Sequence, residues 1–68
     1  MLRQSVSSSN LKSVGYENGI LEVEFHGGGI YQYYGVPENV YYALMAASSK
    51  GRYLENVVKG HYQYRRIG

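Results

Sequence analysis

"YENGILEVEFHGGGIYQYYGVP", residues 16–37, is the stretch whose reading decides the fold. Its first turn signal is Asn18-Gly19, two residue types that tolerate the positive φ of a tight hairpin. After it, residues 20–26 alternate: Leu21, Val23 and Phe25 lie on one face, and Glu22, Glu24 and His26 on the other. Gly27-Gly28-Gly29 supplies a second turn, and residues 30–35 return as another strand. With residues 11–17 before the first turn, these segments make an antiparallel meander, one face of which must be covered. The cover follows directly. Pro37 and Glu38 suit a helix start, and Val40, Tyr41, Leu44 and Ala47 recur at helical spacing. Ser48 or Ser49 ends that helix and caps another, whose apolar face is Tyr53, Leu54, Val57 and Val58 and whose stop is Gly60. The expected fold is α+β. A small three- to four-stranded antiparallel sheet carries two helices, at residues 37–47 and 49–59, on one face. An extended basic tail at 61–68 has room for a short edge strand.

Size and composition narrow the function classes. A chain of 68 residues makes one small domain, and such a domain buries only about 60% of its extended-chain surface. Without cysteine, neither a disulfide nor a thiolate metal site can staple it. The first residues, "MLRQSVSSSN", lack the apolar run of a signal peptide, and no segment approaches a membrane span, so a cytoplasmic location is expected. The net charge of +2 is a mild basic bias. The acids are all glutamates, while the bases gather late, at Lys50, Arg52, Lys59, Arg65 and Arg66.

Nine tyrosines stand beside one phenylalanine and no tryptophan, so the register of the tyrosine-rich strand matters. If polar Gln32 faces water, Tyr31 and Tyr33 point the opposite way, beside Leu21, Val23 and Phe25 under the helices. Ile30 and Tyr34 then share the open face with Glu22 and Glu24. In the first strand, Lys12 facing outward takes Val14 and Tyr16 outward with it, unless a bulge at Gly15 resets the register. On that reading Tyr16, Ile30 and Tyr34 are half-apolar members of the open face and candidates for a protein interface.

The run "VSSSNLKSVGYENGILEVEFHGGGIYQYYGVP", followed by "AASSKGRYLENVVKGHYQYRR", resembles the KTSC domain over nearly the whole chain. The marks are Ser8-Ser9, "VGY" at Val14 to Tyr16, Y-x-Y at Tyr31 and Tyr33, and "VP" at Val36-Pro37. "S-x-G-x-Y" at Ser49, Gly51 and Tyr53 and a second Y-x-Y at Tyr62 and Tyr64 complete them. Where the family pattern has Y-F-N, this chain has Tyr53-Leu54-Glu55, with Asn56 one position late. The family takes its name from the C-terminus of certain lysyl-tRNA synthetases and includes short stand-alone bacterial and phage proteins. The resemblance implies a small α+β fold and no established activity, with RNA binding the conjecture attached to the family.

Three stretches are candidate sites. "SSKGR" combines a helix start with Ser49, Lys50, Gly51 and Arg52, donors for an anion or nucleotide; the plainer reading is a serine-capped turn between helices. Gly51 in a first turn costs about 0.5–1 kcal/mol relative to alanine, so close packing or a close ligand should account for it. The tail interleaves Tyr62 and Tyr64 with Arg65 and Arg66, as suits single-stranded nucleic acid, though it also reads as a solvated basic tail. Lys59 could join the two. Tyr31 and Tyr33 are expected as core, not as a stacking platform. The serine run with His26 or His61 lacks both a nucleophile elbow and an aspartate, and two isolated histidines make a poor zinc site. The expectation is a non-catalytic domain without cofactor or metal, binding RNA or another nucleic acid through Ser49, Lys50, Gly51, Arg52, Lys59, Tyr62, Tyr64, Arg65 and Arg66. The rival is a protein-interaction or assembly module, phage-related in one version, with a protein partner or a second copy on the open face.

Overall fold

In the computed structural model, which describes residues 1–68, the meander is the centre of an antiparallel five-stranded sheet. Its strands are β1 (Gln4–Ser5), β2 (Leu11–Glu17), β3 (Ile20–Phe25), β4 (Ile30–Tyr33) and β5 (Tyr64–Arg66), each beside its neighbour in sequence. The tail supplies the short edge strand expected as a fourth, and β1 adds a fifth. The β2–β3 turn has Asn18 at φ 52° and Gly19 at φ 79°, the positive pair that a two-residue hairpin demands.

Register follows the alternation. Val14 lies opposite Val23 and Tyr16 opposite Leu21, while Leu21 faces Tyr33 and Val23 faces Tyr31 across β3 and β4. The bulge in β2 is at Lys12, not Gly15. Leu11 pairs with Phe25 and Ser13 with Glu24, so one additional residue is accommodated between them. That shift lets Leu11 and Val14 both point inward with Lys12 exposed. Tyr16 is therefore corrected to the covered face, where its ring stacks on Tyr41 at 5.1 Å and its hydroxyl donates to the Val36 carbonyl at 2.5 Å. Gly15 serves another purpose. A Cβ there would lie 2.5 Å from the Leu2 carbonyl oxygen, so only glycine lets the first residues cross β2 this closely.

Helix α1 (Glu38–Ala46) follows Pro37, and helix α2 (Lys50–Tyr53) runs on into a π-helical turn, Leu54–Val58. Val40 and Leu44 from α1, with Leu54 and Val58 from the second segment, press onto Leu11, Val14, Leu21, Val23, Tyr33 and Val36 to form the core. The wide turn closes with the Lys59 N–H donating to the Leu54 carbonyl at 2.9 Å, and Gly60 takes the positive φ that ends the helix. No helix is long and apolar enough to cross a membrane. The helices leave one end of the sheet uncovered. There Phe25 and Tyr31 stay half-buried.

Candidate nucleic-acid interface

The uncovered end is an aromatic groove. Phe25, Gly28, Tyr31, Tyr33, Lys59, Gly60 and Tyr64 line a cavity of about 580 Å³ between β3–β5 and the end of the second helical segment. Strand geometry assembles it: Tyr33 faces Tyr64 and Tyr31 faces Arg66 across β4 and β5, so all four side chains project to one face. Phe25 meets Tyr31 edge-on at 5.6 Å, and Tyr64 leans over both Tyr31 and Tyr33 at 6.0 and 5.9 Å. Two cations sit on this wall. The Lys59 ammonium lies 5.3 Å from the Phe25 ring centroid and the Arg66 guanidinium 5.9 Å from that of Tyr31. Tyr64 itself is 63% exposed and Tyr33 only 3%. Tyr33 is core, as its register implied; Tyr31 belongs to core and groove together.

Burial fixes the chemistry of Tyr33. Its phenol is pushed up to about 12, first by desolvation and then by the neighbouring Tyr31, Tyr64 and Glu55. Because its folded pKa lies above the ordinary 10.0, the neutral form stabilises the fold below that pH, and the contribution is lost as pH rises toward about 12. Phenolate absorbance in an alkaline titration should show one tyrosine ionising last, together with unfolding. In Tyr33→Phe that late step should be absent; if it persists, another tyrosine carries it.

The remaining expected site residues are dispersed. Arg65 lies opposite Gln32, on the other face of the sheet from Arg66, so the two arginines do not act as one patch. Tyr62 is half-buried against the core instead of free to stack. Lys50 donates to the Ala47 carbonyl at 3.1 Å, capping the preceding helix, and Ser49 makes no side-chain capping bond. Gly51 is explained by packing. A Cβ on it would come within 2.4 Å of the Asn10 side-chain nitrogen, so the loop before β2 needs that space. Arg52 is exposed, as is Asn56. His26 bonds the Ser8 carbonyl at 3.0 Å, and Ser8 in turn accepts from the Leu11 N–H at 3.1 Å, so both residues build the loop beside β2.

The opposite face of the sheet holds a polar chain that sequence reading missed. Arg3 donates to Glu22 and, at 2.9 Å, to Ser13, whose hydroxyl donates to Glu24 at 2.9 Å. Gln32 donates to Glu22 at 2.8 Å and accepts from the Tyr34 hydroxyl at 2.9 Å. Glu22 is only 4% exposed under the first residues of the chain. Desolvation alone would raise its pKa, but the hydrogen bonds from Gln32 and Arg3 and the Arg3 charge outweigh it and hold the carboxyl below its ordinary range. Tyr34 and Ile30 on this face are half-buried.

Comparison with known proteins agrees with this architecture. The KTSC domain matches residues 7–62 of the chain. An uncharacterized protein of Stutzerimonas stutzeri is 49% identical over 70 residues, covering 98% of this chain and 99% of its own. A lysine–tRNA ligase of Nostoc sp. is 38% identical over 61 residues, which are 87% of this chain but 11% of that protein. The crystal structure of a KTSC domain protein from Yersinia pestis superposes with a TM-score of 0.95 at 48% identity, covering 98% of this chain and 97% of that one. The chain belongs to the KTSC domain family.

Proposed function

We propose that this domain binds single-stranded nucleic acid, RNA first, in the groove lined by Phe25, Tyr31 and Tyr64. The observation that carries the reading is the placement of Lys59 and Arg66 on those rings. Bases stack on exposed aromatic faces whatever their identity, and flanking cations reach the phosphates between them. The relation to proteins called lysine–tRNA ligases favours RNA over DNA. The binding role belongs to Lys59, Tyr64 and Arg66 more than to the other basic residues. Assembly through the open face draws less support, because Tyr16 is turned away from it and Tyr34 spends its hydroxyl on Gln32.

With no tryptophan in the chain, quenching of tyrosine fluorescence reports binding directly. Short single-stranded RNA should bind with affinity that falls as salt rises. Arg66→Ala should flatten the log K against log salt slope by about 0.7, the value of one phosphate contact to a single strand. Arg65→Ala should change it less. Tyr64→Ala removes a stacking surface worth about 1–3 kcal/mol and should weaken binding roughly five- to 150-fold. Absence of binding at low salt would sink the proposal.

A further inference from the structure

Lys59 divides the groove from a second cavity. Ser9, Asn10, Leu11, Phe25, Gly27, Gly51, Leu54, Glu55 and Lys59 line a space of about 450 Å³. It shares Phe25 and Lys59 with the aromatic groove. The boundary between the two is thus formed by Phe25 and Lys59, with the Lys59 ammonium resting over the Phe25 ring. What holds it there is weak: the cation–π contact itself and an ion pair to Glu55 at 3.4 Å. The lysine and glutamate side chains of that pair are 45% and 67% exposed, a setting in which such pairs contribute little. A phosphate competing for Lys59 would draw it off Phe25, join the two spaces and leave the Glu55 carboxylate without its cation.

The second cavity differs in chemistry from the first. Where the groove offers rings, this cavity sets the polar side chains of Ser9, Asn10 and Glu55 around Phe25. An ionised carboxylate only accepts, so a base seated there must present donors. Guanine offers two adjacent N–H groups on one edge, matched to the two oxygens of a carboxylate. Uracil offers a single N–H flanked by carbonyls that would repel it. Resting on the nucleic-acid reading of the groove, we propose that the cavity behind Lys59 is a guanine-selective subsite. Phe25 stacks the base, Glu55 reads its donor edge, and Lys59 is the gate that a neighbouring phosphate opens.

The test compares a short oligouridylate with the same oligomer carrying one guanosine, on the wild-type protein and on Glu55→Gln, by tyrosine fluorescence. The wild type should bind the guanosine oligomer about tenfold more tightly, toward the low end of what a two-point base contact gives. Glu55→Gln should erase that preference, since one carboxylate oxygen becomes a donor. Glu55 is exposed, so the exchange should leave the fold intact, which circular dichroism checks. Equal affinity of the wild type for both oligomers would overturn the subsite and leave the groove reading standing. So would a guanosine preference that survives Glu55→Gln. Failure of both oligomers to bind would overturn both readings.

Discussion

Leu44→Ala should leave most of the domain unfolded or close to its midpoint at room temperature. Leu44 is 0% exposed and joins α1 to the ten-residue cluster that makes up the whole buried core. Truncating a buried leucine costs about 2–5 kcal/mol, because the removed atoms lose their burial and the cavity left behind only partly collapses. A domain of this size has about 3–5 kcal/mol in total, so the two magnitudes meet. There is no disulfide in reserve. Asn39→Ala, an exposed change on the same helix, should stay within about 0.5 kcal/mol. Urea or thermal unfolding followed by circular dichroism separates the two. A shift in Tm for Leu44→Ala as small as that for Asn39→Ala would mean that α1 is not anchored through Leu44.

Arg3→Ala should also destabilise the domain, and it should reverse a pH dependence. Removing one partner of a fully buried ion pair costs about 3–5 kcal/mol. The Arg3 side chain is 26% exposed, and Gln32 remains on Glu22, so about 1–3 kcal/mol is expected here. In the wild type the folded carboxyl of Glu22 has a lowered pKa. It binds its proton less readily than in the unfolded chain, so its stabilisation is present above the ordinary glutamate range and lost as pH falls through it and below. Without Arg3 the desolvation of Glu22 dominates, its pKa rises, and the charged form opposes folding. The variant should then recover stability on acidification over the range where the wild type begins to lose it. Glu22→Gln in the same background should restore much of the loss at neutral pH, because the amide carries no charge to desolvate. Parallel stability–pH curves for wild type and Arg3→Ala would refute the coupling.

The meander was legible because its signals were local. Asn18-Gly19 specified a hairpin, and the Leu21, Val23, Phe25 alternation specified which face is covered; both hold in the structure. Tyr31 and Tyr33 followed from Gln32 by period alone. The features that escaped depend on residues far apart in sequence. Gln4–Ser5 has no pattern to mark it as a strand, and its reason lies in the glycine it crosses near Leu2 and in Arg3 reaching Glu22. Glycine so often marks a bulge that Gly15 is the position the sequence offers for a reset of register, yet the bulge is at Lys12, where the added residue turns to solvent. The tail's arginines looked like one patch until strand pairing sent Arg65 and Arg66 to opposite faces. The groove was hardest to foresee. It forms where the end of the second helical segment meets β3–β5 beside the half-buried Phe25 and Tyr31, and that meeting is a property of the packed fold.

The pairing of Tyr33 with Tyr64 has a kinetic consequence. The strands that carry them are neighbours in the sheet, yet residues 34–63, with both helices, lie between them in the chain. The hairpins of β2, β3 and β4 can close over short loops, whereas β5 must wait for that long connection to be ordered, since loop closure takes its entropy before contacts return it. Order of assembly therefore places Tyr64 and Arg66 among the last parts to arrive. A chain caught before that step, or one in which the edge strand has peeled away, keeps most of its sheet and loses one wall of its groove. On the proposed reading of the groove, recognition is coupled to the final stage of folding, and a ligand held between Tyr31 and Tyr64 would act as the clasp that keeps β5 in place.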